Sequence, residues 1–169
     1  MTPAELQSLD YDSFVTAFGG VFEHSPWVAE HAFAAGPFAT VDELHAAMLR
    51  ALADAPHNEQ LALLRAHPEL AGKAAIRGEL TVDSTSEQTG AGLDRCSPEE
   101  FAQITTLNAN YNATFGFPFI IAVKGLDRAG ILSEFARRSG QAPDVEFAEA
   151  LRQVARITRF RLNALIGTW

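Results

Sequence analysis

The chain has 169 residues, 47% hydrophobic and 20% charged, the length and composition of one domain that buries a core without disulfides or structural metal. Its formal net charge of −8 repels phosphate backbones and anionic lipid, which argues against nucleic acid and membrane surfaces as partners. No apolar run approaches the roughly 18 residues of a membrane span, and the lone Cys96 rules out an internal disulfide, which fits a reducing cytoplasm.

Glu5, Asp10, Asp12 and Glu23 interrupt the first thirty residues, so no secretory leader is predicted, and the final Gly167-Thr168-Trp169 is not the peroxisomal address. Helical periodicity dominates the chain and alternating strand patterns are nearly absent, which predicts an all-α fold. Phe14, Phe18 and Phe22 recur every four residues and mark the core face of an early helix that ends near Gly19-Gly20 or continues irregularly past it. Ser25-Pro26 reads as an N-cap followed by proline at the first helical position, opening a helix toward Gly36-Pro37. Thr40 and Glu43 form a predicted capping box ahead of Leu44, Met48 and Leu52, and a short helix follows from about Asn58 to Ala66.

A loop from Gly72 to Gly78 precedes a helical stretch that begins at Ser84 and is loosened by Gly90 and Gly92. Ser97-Pro98-Glu99-Glu100 combines cap, N1 proline and N3 carboxylate in front of a long helix to about Phe115. The segment 117–123 is short, partly β-branched and bounded by Gly116 and Gly125, and is read as a buried extended stretch. Two helices, roughly Arg128 to Arg138 and Asp144 to Ile166, complete a single-domain bundle of about seven to nine helices over residues 1–169. No internal repeat or linker is visible.

His67-Pro68-Glu69-Leu70 carries the first chemical signal. Proline biases His67 out of helical geometry, so the imidazole is expected at a helix C-terminus, where the partial negative charge favours its protonated form and suits acid/base work. A histidine that only caps the last carbonyls satisfies the same position. The second signal is Ser84-Thr85-Ser86-Glu87-Gln88, five hydrogen-bonding side chains on an expected first turn, where unpaired N–H groups favour a polar or anionic ligand. Glu87 also fits a capping box with Ser84.

In the last helix, Phe147, Leu151, Val154, Thr158, Leu162 and Leu165 set the expected core face, with Arg152, Arg156 and Arg159 pointing away. Arg161 falls only about 50 degrees from the centre of that face, so its guanidinium is directed inward and needs a protein carboxylate or an anionic ligand. The backbone of Phe119, Ile120, Ile121, Ala122 and Val123 offers N–H and C=O groups to a flat urea-like ring, although such a run is more often plain core. His24, His31, His45 and His57 lack zinc-ligand spacing, so no metal site is expected.

Taken with Phe18-Gly19-Gly20-Val21-Phe22-Glu23, Ala91-Gly92-Leu93, and Asn108-Ala109-Asn110-Tyr111 running into Phe115-Gly116-Phe117-Pro118-Phe119, these segments make the chain resemble the 2-oxo-4-hydroxy-4-carboxy-5-ureidoimidazoline (OHCU) decarboxylase family over nearly its whole length. The resemblance implies an all-helical homodimer and a carboxy-lyase that releases CO2 from OHCU to give (S)-allantoin in urate degradation, without metal or organic cofactor. It implies catalytic roles for His67 and Glu87, and substrate contact by Pro68, Ser84 to Gln88, Phe119 to Val123, and Arg161. Where the family usually has an Arg-Leu-x-Asn turn, this chain reads Arg138-Ser139-Gly140-Gln141, which puts one loop contact in question. A noncatalytic helical module that binds a ureide or purine-like ligand is the alternative; a metal-dependent amide hydrolase lacks ligands.

Overall fold

Helix caps decide where this chain turns, and most of them are side chains reading their own first turn. The computed structural model describes residues 1–167; the reading of Thr168-Trp169 as no targeting address lies outside them. Among the described residues there are ten α-helices, one 3-10 turn and no strand, so the fold is all-α, with slightly more helices than the sequence suggested. The chain forms two compact units, one of Met1–Ala66 with the residues from Ala155 onward, the other of His67–Val154.

In the first unit, α1 (Pro3–Gln7) was not anticipated, although Thr2, Pro3 and Glu5 form a complete capping box with proline at the first position. Asp10 caps α2 (Tyr11–Phe18), whose Phe14 and Phe18 rings meet edge to face at 4.9 Å in the core. Phe22 lies beyond the helix end yet is also buried, because the chain turns there. The helix expected to start at Ser25 instead follows an N-cap at Pro26 as α3 (Trp27–Phe33); the Ser25 hydroxyl donates to the Glu23 carbonyl at 3.1 Å and is spent there. In α4 (Val41–Asp54) the Thr40 hydroxyl accepts the Glu43 N–H at 3.1 Å, but the Glu43 carboxylate takes the Ala39 N–H at 2.7 Å. The box is therefore offset by one residue. The helix α5 (His57–Ala66) ends immediately before His67.

The second unit holds the one-turn α6 (Lys73–Ile76), inside what the sequence presented as loop. It continues with α7 (Val82–Gly90) and a 3-10 turn, Leu93–Arg95, entered through Gly92 at a left-handed φ of 75°. Next come α8 (Pro98–Phe115) with the full Ser97/Glu100 capping box, and α9 (Arg128–Ser139) capped by Asp127. The segment 117–123 is non-helical and buried throughout.

The last helix, α10 (Pro143–Ile166), contributes its first half to the second unit and its second half to the first. Its buried face differs from the predicted one. Glu146, Ala150, Gln153, Val154, Ile157, Thr158, Arg161, Leu162 and Ile166 are buried, whereas Leu165 is 52% exposed. Glu146 and Gln153 are polar occupants of a core face, invisible to a hydrophobic pattern, and they rotate the face away from Leu165.

Candidate functional site

In the second unit, His67 is the first residue past a helix, as the following proline requires. Its side chain is buried, 8% exposed, so the imidazole is not a solvated surface cap. The segment after it is held at four points. The Gln88 amide donates to the Glu69 carbonyl at 3.3 Å and accepts the Ala71 N–H at 2.9 Å. Asn108 donates to the Leu70 carbonyl at 2.9 Å, and Asn112 donates to the Glu69 carboxylate at 2.5 Å. Ala71 bends at a left-handed φ of 47°, a conformation that costs a residue with a Cβ about 1 kcal/mol and persists only where neighbours enforce it.

The Ser84–Gln88 cluster is not a first turn. Thr81 is the N-cap and its hydroxyl accepts the Ser84 N–H at 3.2 Å, so Ser84 is already the third helical residue. The expected Ser84/Glu87 capping box is replaced by a Thr81 cap one turn earlier, and the five side chains spread around the helix. Ser84 and Gln88, four residues apart, are buried on one face with Glu87 half-buried beside them, while Thr85 and Ser86 are exposed. Thr85 and Gln88 line a cleft of about 530 Å³ with Ala71, Leu80, Leu93 and Phe101. Its lining does not include His67 or Glu87.

The stretch from Phe119 to Val123 is anchored by groups that sequence reasoning missed. Arg138, wholly buried, donates to the Ile120 carbonyl at 2.7 Å and lies 4.4 Å over the Phe119 ring. Gln153 accepts the Ala122 N–H at 3.0 Å, and Val123 accepts from Leu126 N–H at 2.9 Å. Three of the backbone groups once offered to a ligand are thus taken by the protein. Glu146 neutralises Arg138 and also accepts from Tyr111 and Gln141, so the divergent Arg138-Ser139-Gly140-Gln141 turn is tied to α10 through that carboxylate. Burial first, and the Glu146 carboxylate second, push the Tyr111 phenol above its ordinary range and keep it a donor.

In the first unit, Arg161 points inward as its helical position predicted, 5% exposed. Its guanidinium meets the Glu23 carboxylate at 2.8 Å and the Val21 carbonyl at 3.4 Å. Of the two partners considered for it, a protein carboxylate is present, supplied by the Gly19-to-Glu23 segment. Among the described residues, no group of three or more His, Cys, Asp or Glu side chains is arranged to hold a metal ion.

The family model for OHCU decarboxylase matches residues 7–163. The chain belongs to the OHCU decarboxylase family. Among members of the family, it is 44% identical over 162 residues to the 2-oxo-4-hydroxy-4-carboxy-5-ureidoimidazoline decarboxylase of Haloferax volcanii, covering 96% of this chain and 94% of that protein. It is 41% identical over 165 residues to the protein of the same name from Halalkalicoccus jeotgali, covering 98% and 92%. A crystal structure of (S)-allantoin synthase superimposes with a TM-score of 0.76 at 28% identity, over 98% of this chain and 54% of that longer one.

Proposed function

We propose that this chain, acting as one domain, decarboxylates OHCU to (S)-allantoin, a cofactor-independent carboxy-lyase step of urate degradation. The observation that carries the proposal is a buried imidazole, His67, on a segment fastened to the helix that bears Glu87, in a chain whose relatives are named for this reaction.

Decarboxylation needs a place for the electron pair of the broken bond. In OHCU the carboxylated, hydroxyl-bearing carbon C4 adjoins a ring C=N bond at C5, so the substrate supplies its own sink. The pair from the C4–carboxylate bond forms a C4–C5 double bond as the ring nitrogen takes a proton. The 4-hydroxyl then loses its proton while C5 gains one, giving the C4 carbonyl and the stereocentre of allantoin. The protein has to orient the ring and move protons, which positioned groups do without a cofactor.

His67 and Glu87 take the 4-hydroxyl region, with His67 as proton donor or relay. Ser84 and Gln88, on the buried face of α7, with Pro68, Thr85, Ser86 and those backbone groups of Phe119, Ile120, Ile121, Ala122 and Val123 that Arg138, Gln153 and Leu126 do not take, are the contacts assigned to the ureido and ring groups. Arg161, paired with Glu23 in the first unit, is a substrate contact that the family resemblance alone implies. The family resemblance and the single cysteine support a cytoplasmic homodimer; no helix among the described residues is long and apolar enough to cross a membrane.

Freshly generated OHCU mixed with the protein tests the reading through CO2 release and optical rotation. Accelerated decay with dextrorotatory (S)-allantoin as product is expected. Tight binding of allantoin-like ligands without acceleration over spontaneous decay, and a racemic product, would instead identify a noncatalytic module.

A further inference from the structure

The bend at Glu69–Ala71 begins two residues after His67, and side chains from two different helices hold one backbone group on each of its three residues. From α7, Gln88 takes the Glu69 carbonyl and the Ala71 N–H; from α8, Asn108 takes the Leu70 carbonyl between them. Pro68 fixes its own φ and restricts ψ of His67. With the backbone locked from Glu69 onward, the direction of the His67 Cα–Cβ bond is set, and the imidazole turns only about its own two side-chain torsions. Gly72 closes the bend so tightly that a Cβ there would fall 2.7 Å from the Glu69 Cβ.

Asn108 holds its place at a cost. The residue is 3% exposed, and its Oδ1 is buried without a hydrogen-bond partner among the described residues. An orphaned buried acceptor is a liability that a stability role alone does not explain. We propose that Asn108 is a positioning residue, which, together with Gln88, fixes the Glu69–Ala71 bend and so aims the His67 imidazole for proton transfer. The inference rests on the acid/base role of His67 proposed above.

Two variants on α8 separate positioning from simple support. Asn108→Asp keeps the shape but, ionised, cannot donate to the Leu70 carbonyl; Ile104→Val loosens the same helix at a fully buried apolar site without touching the clamp. Misplacing a catalytic group by an ångström costs up to about 100-fold, so Asn108→Asp is expected to lower kcat by roughly 10- to 100-fold with KM changed less than about threefold. The His67 ring signals in proton–nitrogen NMR spectra, assigned by their loss in His67→Gln, shift in Asn108→Asp and not in Ile104→Val. Equal kcat in the two variants, with His67 signals unmoved, would overturn the proposal. If the wild-type protein does not accelerate OHCU decay, the functional reading fails separately. The ring signals then decide the clamp alone: a shift confined to Asn108→Asp supports it, and none in either variant refutes it.

Discussion

Replacing Glu146 by Gln removes the carboxylate that pairs with Arg138 in the core of the second unit. Both side chains are 0% exposed, so the guanidinium that remains has no water to turn to. Glu146→Gln keeps the size and one acceptor oxygen for Tyr111, while the Gln141 amide must turn its own oxygen toward the new NH2 group, so the loss is chiefly that of charge. Breaking a buried ion pair from one side costs about 3–5 kcal/mol, and with an m-value of about 2 kcal/mol/M the urea midpoint should fall by about 2 M. The double variant Arg138→Met/Glu146→Leu should recover part of that loss, since no charge is left buried. It should stay below wild type because Tyr111, Gln141 and the Ile120 carbonyl lose partners, at about 1–3 kcal/mol for each group left buried and unpaired. Equilibrium urea unfolding followed by circular dichroism measures all of these. A Glu146→Gln midpoint within about 0.5 M of wild type, about 1 kcal/mol at that m-value, would show that the pair does not hold the core as argued.

His45 is held below its ordinary value of 6.5, first by burial and then by the Arg159 charge. Protons therefore bind the unfolded chain before the folded one, and stability present above pH 6.5 falls as pH drops below it, until the folded-state value is passed; His45→Gln should flatten that part of a pH-dependent melting curve. Thr81→Ala removes the observed cap of α7 and should cost about 1 kcal/mol by urea unfolding; no loss would restore Ser84 as the cap. Prolonged treatment with a strong chelator should leave OHCU turnover unchanged, and activity lost to chelator and regained with metal would contradict a mechanism carried by side chains alone.

What sequence alone conveyed divides by the range of the interactions concerned. Ser97-Pro98-Glu99-Glu100 announced α8 because every partner lies within one turn, and Thr2-Pro3-Ala4-Glu5 carried the same signals for α1, although its five-residue helix was too short to show periodicity. At α7 the Ser84/Glu87 box pattern placed the start too late, since Thr81 is followed three residues on by Ser84 and not by Glu or Gln and so shows no box of its own. The structure uses Thr81 because Val82 and Asp83 also take helical geometry. The inward direction of Arg161 followed from helical spacing alone. Its carboxylate, Glu23, did not, since only the folded chain brings the two together. Gln88, Asn108 and Asn112 converge on one bend in the same way, and buried polar side chains on helices give no periodic signal that would distinguish them from surface residues.

In the proposed reaction His67 and Glu87 move the protons of an OHCU decarboxylation. Stopped-flow CO2 release from freshly generated OHCU, with the optical rotation of the product, should be compared for wild type, His67→Asn and Glu87→Gln, each shown to be folded by circular dichroism. Loss of a positioned acid/base group costs about 100- to 10,000-fold, so both variants should fall by at least about 100-fold, toward the spontaneous rate and a racemic product. Wild-type turnover and rotation in folded His67→Asn would contradict the account.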